Sequence, residues 1–148
     1  MSKENSQPIS EKEFYWLGVN DQIDFLESLK ALLGKLGLSP GQVTQLKIDV
    51  LATLDDLQSL KRMVRDRMKP IKGTSVPNMY ELRWDFAGLH GVRYGIRLYF
   101  VEETKWIIGL RWQVKPLTVP SEVSRALQNI EIKKAEEIYL KYRRKEIV

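Results

Sequence analysis

Between Asn78 and Lys115, arginines and lysines recur at alternate positions in three short segments, a spacing that gathers them on one side of a sheet. In the first segment Tyr80, Leu82, Trp84 and Phe86 alternate with Glu81, Arg83 and Asp85, the period-two pattern of a strand with one buried face. In the second, Tyr94, Ile96, Leu98 and Phe100 point one way and Arg93, Arg97 and Tyr99 the other. In the third, Trp106, Ile108, Leu110, Trp112 and Val114 form an apolar row, leaving Lys105, Arg111, Gln113 and Lys115 on the polar side. Forked guanidinium donors and ammonium groups around an aromatic hydroxyl suit a phosphate chain.

Charge is divided along the chain in the same sense. Residues 1–60 hold five Lys and Arg against nine Asp and Glu, and residues 61–148 hold nineteen against ten, so minus four and plus nine sit in successive parts of the chain. That split favours a polyanionic partner for the second part. Cysteine is absent, which removes disulfides, thiolate chemistry and the commonest structural zinc ligands, and fits a reducing cytoplasm as the expected location. No run approaches the roughly 20 apolar residues of a membrane span, and the first residues are polar, unlike a secretory signal. No basic amphipathic helix with an aromatic row stands out either, so no membrane partner is expected. No carboxylate–histidine set has metal spacing, and no glycine-rich phosphate loop follows a strand, so neither metal nor cofactor is expected.

The elements that position these cations follow from periodicity. Residues 1–12 read as a mobile tail, and 13–148 as a single domain of ordinary size. Phe14 to Val19 reads as a first strand, followed by a helix capped at Asn20 or Asp21, with Ile23, Leu26, Leu29, Leu33 and Leu36 as its apolar stripe. Ser39-Pro40-Gly41-Gln42 reads as a capping box opening a second helix, striped by Val43, Leu46, Val50, Leu54, Leu57, Leu60 and Val64. Its last turns carry Lys61, Arg62, Arg65, Arg67 and Lys69, where cations also complement the helix dipole with no ligand involved. Pro70 ends that helix. The three alternating segments are joined by Gly88 to Gly91 and by Glu102 to Thr104, both short enough for antiparallel hairpins. After Pro116 and Pro120 a last helix has Val123, Leu127, Ile130, Ala135, Ile138 and Tyr142 as its inner side, across one sheet edge. The expected fold class is α+β: an N-terminal strand and helical hairpin packed on a small antiparallel sheet, with a C-terminal helix.

With these elements in order, Lys72-Gly73-Thr74, then Pro77 to Arg83 ending in Y-E-L-R, then I-R-L-Y-F at Ile96 to Phe100, the chain resembles the RelE/HigB superfamily of toxin–antitoxin toxins, particularly its phage-derived branch. The resemblance spans roughly residues 14–145. Arg83 matches the arginine closing the family's E-L-R, and Arg97 the arginine of its Y-R-V-L-Y-F strand, with Tyr94 or Gly95 where that tyrosine falls. In place of the family's L-H-G-F-x-K-K this chain has Leu110-Arg111-Trp112-Gln113-Val114-Lys115, so Leu110 stands at the histidine position and only Lys115 survives of the lysines. In the closing helix Ala135 and Tyr142 match, while Ile138 and Lys141 replace an arginine and an aspartate.

The resemblance implies a toxin that inhibits translation by cutting mRNA on the ribosome without metal, neutralised by a cognate helix-turn-helix antitoxin. It assigns Arg83 and Arg97 to the phosphate and Lys115 and Tyr142 to proton transfer, and the alternation adds Arg93, Tyr99 and Arg111 of the same basic face as RNA-binding residues. Toxins of this fold also poison DNA gyrase through protein contacts, and a non-catalytic RNA- or ribosome-binding module is a further alternative. The residues admit plainer readings as well. Arg83 lies between Glu81 and Asp85 on one strand face, where cross-strand ion pairs hold a sheet together. Tyr142 reads equally as a core anchor, and Lys115 as a solvated strand-end lysine. His90, the only histidine, lies between glycines in a hairpin connection, and Trp84, Trp106 and Trp112 fall on the apolar rows.

Overall fold

The computed structural model describes residues 12–17, 24–59, 67–88 and 91–147. The sequence expectations for the tail up to residue 11, for Asn20, Asp21, Ile23, Leu60, Lys61, Arg62, Val64, Arg65 and His90 lie outside those residues. The fold is α+β, as expected, with eight elements among the described residues. They are β1 (Glu13–Trp16), α1 (Phe25–Gly34), α2 (Pro40–Gln58), β2 (Met68–Pro70), β3 (Met79–Ala87), β4 (Arg93–Glu102), β5 (Trp106–Pro116) and α3 (Ser121–Ile147).

Local chemistry sets the helix starts. Asp24 caps α1, its carboxylate accepting from the Glu27 amide at 2.8 Å. At α2 the capping box forms as its spacing predicts: the Ser39 hydroxyl accepts from the Gln42 amide, and the Gln42 side chain accepts from the Ser39 amide. Leu29 and Leu33 of α1 and Val50, Leu54 and Leu57 of α2 are buried, whereas Leu26, at 48% exposure, leaves the stripe expected of it.

The sheet order is β1-β5-β4-β3-β2, with β1 parallel to β5 and the other pairs antiparallel. β2 was not visible in the sequence. Arg67 and Lys69 belong to its approach and to the strand itself rather than to a helix end, because Met68, Lys69 and Pro70 pair with Leu82, Glu81 and Tyr80. Three residues are too few to show a period. Pro70 is tolerated there because an edge strand has no neighbour on one side to miss its N–H.

A second departure lies inside β5. Tyr99 pairs with Arg111 but Phe100 pairs with Gly109, so Leu110 is an extra residue, a β-bulge. An extra residue shifts the alternation by one. The row expected to run from Trp106 to Val114 on one face is therefore broken. Trp112 and Val114 pack on the helical-hairpin side, whereas Ile108 and Leu110 join the opposite side with Tyr99, and Trp106 is 38% exposed.

The sheet thus has two cores. On one side α1 and α2 bury Leu82, Trp84, Ile96, Leu98, Phe100 and Ile107. The indole N–H groups on this side are satisfied: Trp84 donates to Thr53 Oγ1 at 3.1 Å and Trp112 to Ser28 Oγ at 3.0 Å. On the other side α3 lies across the face of β5 and β4, not along an edge as expected, with Ala135 and Tyr139 buried against Leu17, Met79, Val101, Ile108 and Leu110. The inner side of α3 also differs. Ala135, Ile138 and Tyr142 face the sheet as expected, but Val123, Leu127 and Ile130 are 48%, 46% and 51% exposed. The sheet beneath the first half of α3 is charged, so the helix turns Gln128 and Glu131 to it instead of its leucine.

Candidate functional site

Three cross-strand rungs of β3, β4 and β5 build the site on the face that α3 partly covers. They are Asp85–Gly95–Lys115, Arg83–Arg97–Gln113 and Glu81–Tyr99–Arg111. Alternation puts all nine residues on one face. Arg97 stands at the centre, 1% exposed. Its guanidinium folds back over Gly95: a Cβ at that position would lie 2.6 Å from Nη1 and 3.0 Å from Cζ. From this seat Nη1 donates to Asp85 Oδ1 at 3.0 Å and to the Ile96 carbonyl at 3.1 Å, while Nε finds no hydrogen-bond partner among the described residues.

Lys115 faces the same glycine from the other side. Burial lowers its ammonium below the ordinary lysine value, and the Arg97 charge lowers it further. Its Nζ donates to Gln128 Oε1 at 3.5 Å, and the Gln128 amide donates to Glu81 Oε2 at 2.8 Å. Glu81 is 3% exposed. One helix residue thereby links a cation and an anion of the sheet. One turn on, Glu131 pairs with Arg111 Nε. Tyr99 is fully buried, and its hydroxyl donates to Gln113 Oε1 at 2.6 Å. Burial, with Glu81 next, pushes that hydroxyl well above the ordinary tyrosine value.

Six of the seven residues singled out in the sequence lie on this face. Arg83, Arg97, Lys115, Tyr99 and Arg111 are neighbours in the rungs, and Arg93 lies two residues beyond Gly95 on β4. Arg83 and Arg93 are exposed, Arg111 and Lys115 half-buried. Of the cross-strand ion pairs that Glu81 and Asp85 could make with Arg93 or Arg97, the one between Asp85 and Arg97 forms. The seventh residue, Tyr142, is elsewhere. Its ring lies 6.3 Å from Tyr15 and 6.1 Å from Tyr139. Tyr15 is in register with Ile108, seven residues before Lys115 on β5, or about 20 Å of strand. Tyr142 is thus part of the packing at the other end of α3.

Gly95, Asp85, Glu81, Gln113, Gln128 and Glu131 complete the site and were not read as such. Only Gly95 carried a local signal, a glycine inside an alternating strand, which marks close approach of another group. A cavity of about 490 Å³ opens at the β4–β5 hairpin, lined by Asn78, Glu103, Trp106, Tyr139 and Arg143 among others, remote from Arg97. There the Tyr139 hydroxyl donates to Glu103 Oε2 at 2.5 Å.

In chemical terms the face offers forked donors and one ammonium group, Lys115, whose hold on its proton is weakened by burial and by Arg97, against the carboxylates of Asp85, Glu81 and Glu131. An anion of tetrahedral geometry fits such donors. Among the described residues no helix is long and apolar enough to cross a membrane, and no group of three or more His, Cys, Asp or Glu is placed to hold a metal ion. No family model, no curated protein and no solved structure matches the chain.

Proposed function

We propose that this chain is a RelE/HigB-like toxin that inhibits translation by metal-independent cleavage of mRNA on the ribosome and is held inactive by a cognate helix-turn-helix antitoxin. The observation that carries the reading is the convergence of Arg83, Arg97 and Lys115, three of the four site positions matched in the resemblance, around Gly95 on one sheet face. In the reaction a ribose 2′-oxygen attacks the adjacent phosphorus, the P–O5′ bond breaks, and a cyclic phosphate remains. Lys115 takes the 2′-hydroxyl proton, a role that its lowered affinity for protons, caused by burial and by Arg97, favours over an ordinary lysine. Arg83 and Arg97 stabilise the charge growing on the phosphoryl oxygens. The proton returns to the leaving oxygen from Lys115 or water, since Tyr142 is distant. For RNA to reach Arg97, phosphate oxygens replace Gln128 and Glu131 as partners of Lys115 and Arg111.

A second reading is favoured by one observation: Arg97 is already committed to Asp85 and 1% exposed. In that reading the protein binds without cutting, as a DNA gyrase poison or as an RNA- or ribosome-binding module. Mapping mRNA 5′ ends during translation with the wild type and with Arg97→Ala separates them. New ends that depend on Arg97, with a loss of at least about 100-fold in the variant, support cleavage. Growth arrest with intact messages and impaired supercoiling supports gyrase binding. An inert wild type sinks both toxin readings and leaves the RNA- or ribosome-binding module, whose affinity should fall steeply with salt while no substrate is cut.

A further inference from the structure

Two helices carry matching unpartnered seams. On α2, Thr44, Ile48, Leu51 and Asp55 are spaced by four, three and four residues, and all are exposed, with Ile48 at 55% and Leu51 at 42%. On α3, Val123, Leu127, Ile130 and Lys134 repeat that spacing and that exposure. Four–three–four is the spacing of the contact line of a heptad, along which two helices interlock side by side. Laid parallel, Ile48 meets Leu127, Leu51 meets Ile130, and the next position pairs the carboxylate of Asp55 with the ammonium of Lys134. Among the described residues Lys134 pairs with Glu131 of its own helix, at 3.8 Å.

The two seams cannot meet within one molecule, because α2 covers one side of the sheet and α3 the other. We propose that they meet between molecules, α3 of one copy docking in parallel on α2 of the next. The register itself supports this occupant over a foreign one: the same spacing on both helices brings the carboxylate of Asp55 opposite the ammonium of Lys134 while the apolar pairs meet. Such a contact joins unlike surfaces, so each dimer still presents one free seam at each end, and growth continues as short chains or closes as a ring. The contact is small. Stable complexes bury about 1,200–2,000 Å², and two seams of a few turns fall short of that, which makes the self-association weak and transient.

The arrangement is tested by sedimentation equilibrium with two complementary copies of the full chain. Leu127→Ser with Ile130→Ser leaves only the α2 seam, and Ile48→Ser with Leu51→Ser leaves only the α3 seam. The expected result is a wild-type average mass that climbs beyond twice 17.3 kDa with concentration. Each variant alone stays monomeric, and an equimolar mixture stops at a dimer. Asp55→Lys and Lys134→Asp provide a second set: each weakens association about tenfold or more, and the chain carrying both regains it. All of these side chains are exposed, and unchanged thermal melting certifies folding of each variant. A wild type that remains monomeric up to about 1 mM by this measure overturns the proposal. So does either serine variant that associates with itself, because that would require like surfaces to pair.

Discussion

Gly95 does for Arg97 what no larger residue can. By leaving the space above β4 empty, it lets a guanidinium lie flat on the strand between Asp85 and Lys115. Gly95→Ala is expected to displace the Arg97 head group, weaken its bond to Asp85 and lower stability by about 1–3 kcal/mol, the usual cost of overpacking. A denaturant melt with an unchanged slope measures that loss. Lys115 contributes a pH dependence of definite sign. Its folded-state affinity for protons is lower than the ordinary value of 10.5, so folding is opposed while the unfolded lysine holds a proton that the folded one binds less well. The penalty is full below the lowered value and disappears as pH rises from there towards 10.5. Relative to Lys115→Met, the wild type should gain stability through that alkaline window, and parallel melting curves for the two at every pH would remove Lys115 as the cause. Tyr99 works in the opposite sense, its raised value costing stability above pH 10, but it is common to both proteins.

Leu110 shows how one residue governs a whole strand. Because it is the extra residue of the bulge, Ile107 serves one core and Ile108 the other, while Trp112 and Val114 stay with the helical hairpin. Deleting Leu110 restores strict alternation and forces one half of β5 to present the wrong face. The deletion is expected to abolish the cooperative melt, since the exchange of several buried side chains outweighs a total stability of about 5–15 kcal/mol. Leu110→Ala, by contrast, keeps the register and should cost about 2–5 kcal/mol, as for a buried leucine truncated in place. Comparing the two by circular dichroism separates the role in register from the role in packing. The sequence discloses the capping box at Ser39 and the alternation of β3 and β4 because both are local. It hides the bulge, since every second residue from Trp106 to Val114 is apolar and reads as one row, and only pairing with β4 reveals the shift. It hides β2 for the same reason, its three residues having no pattern apart from β3.

The arrangement of the layers explains what was misread about α3. By periodicity Val123, Leu127 and Ile130 belong inside, yet the sheet they would cover presents Glu81, Arg111 and Lys115. A helix packs against what its neighbour offers, and here that is charge in the first half and Leu110, Val101 and Ile108 in the second. Arg83, Arg97 and Lys115 could be chosen from the sequence because cations on alternating positions share a face. Asp85 could not be chosen over Glu81 as the partner of Arg97, nor Gln128 as the link to Lys115, because those pairings depend on how Arg97 folds over Gly95 and how α3 is rotated. The parallel pairing of β1 with β5 has a consequence in time rather than in space. Glu13 is in register with Trp106, more than ninety residues later, with β4 and β3 already zipped by local hairpins in between. As the chain leaves the ribosome, Phe14 and Trp16 emerge first and wait for β5 before they find Gly109 beneath them. The first strand made is therefore the last to be seated, and for most of its synthesis the protein carries two aromatic side chains with no sheet to receive them.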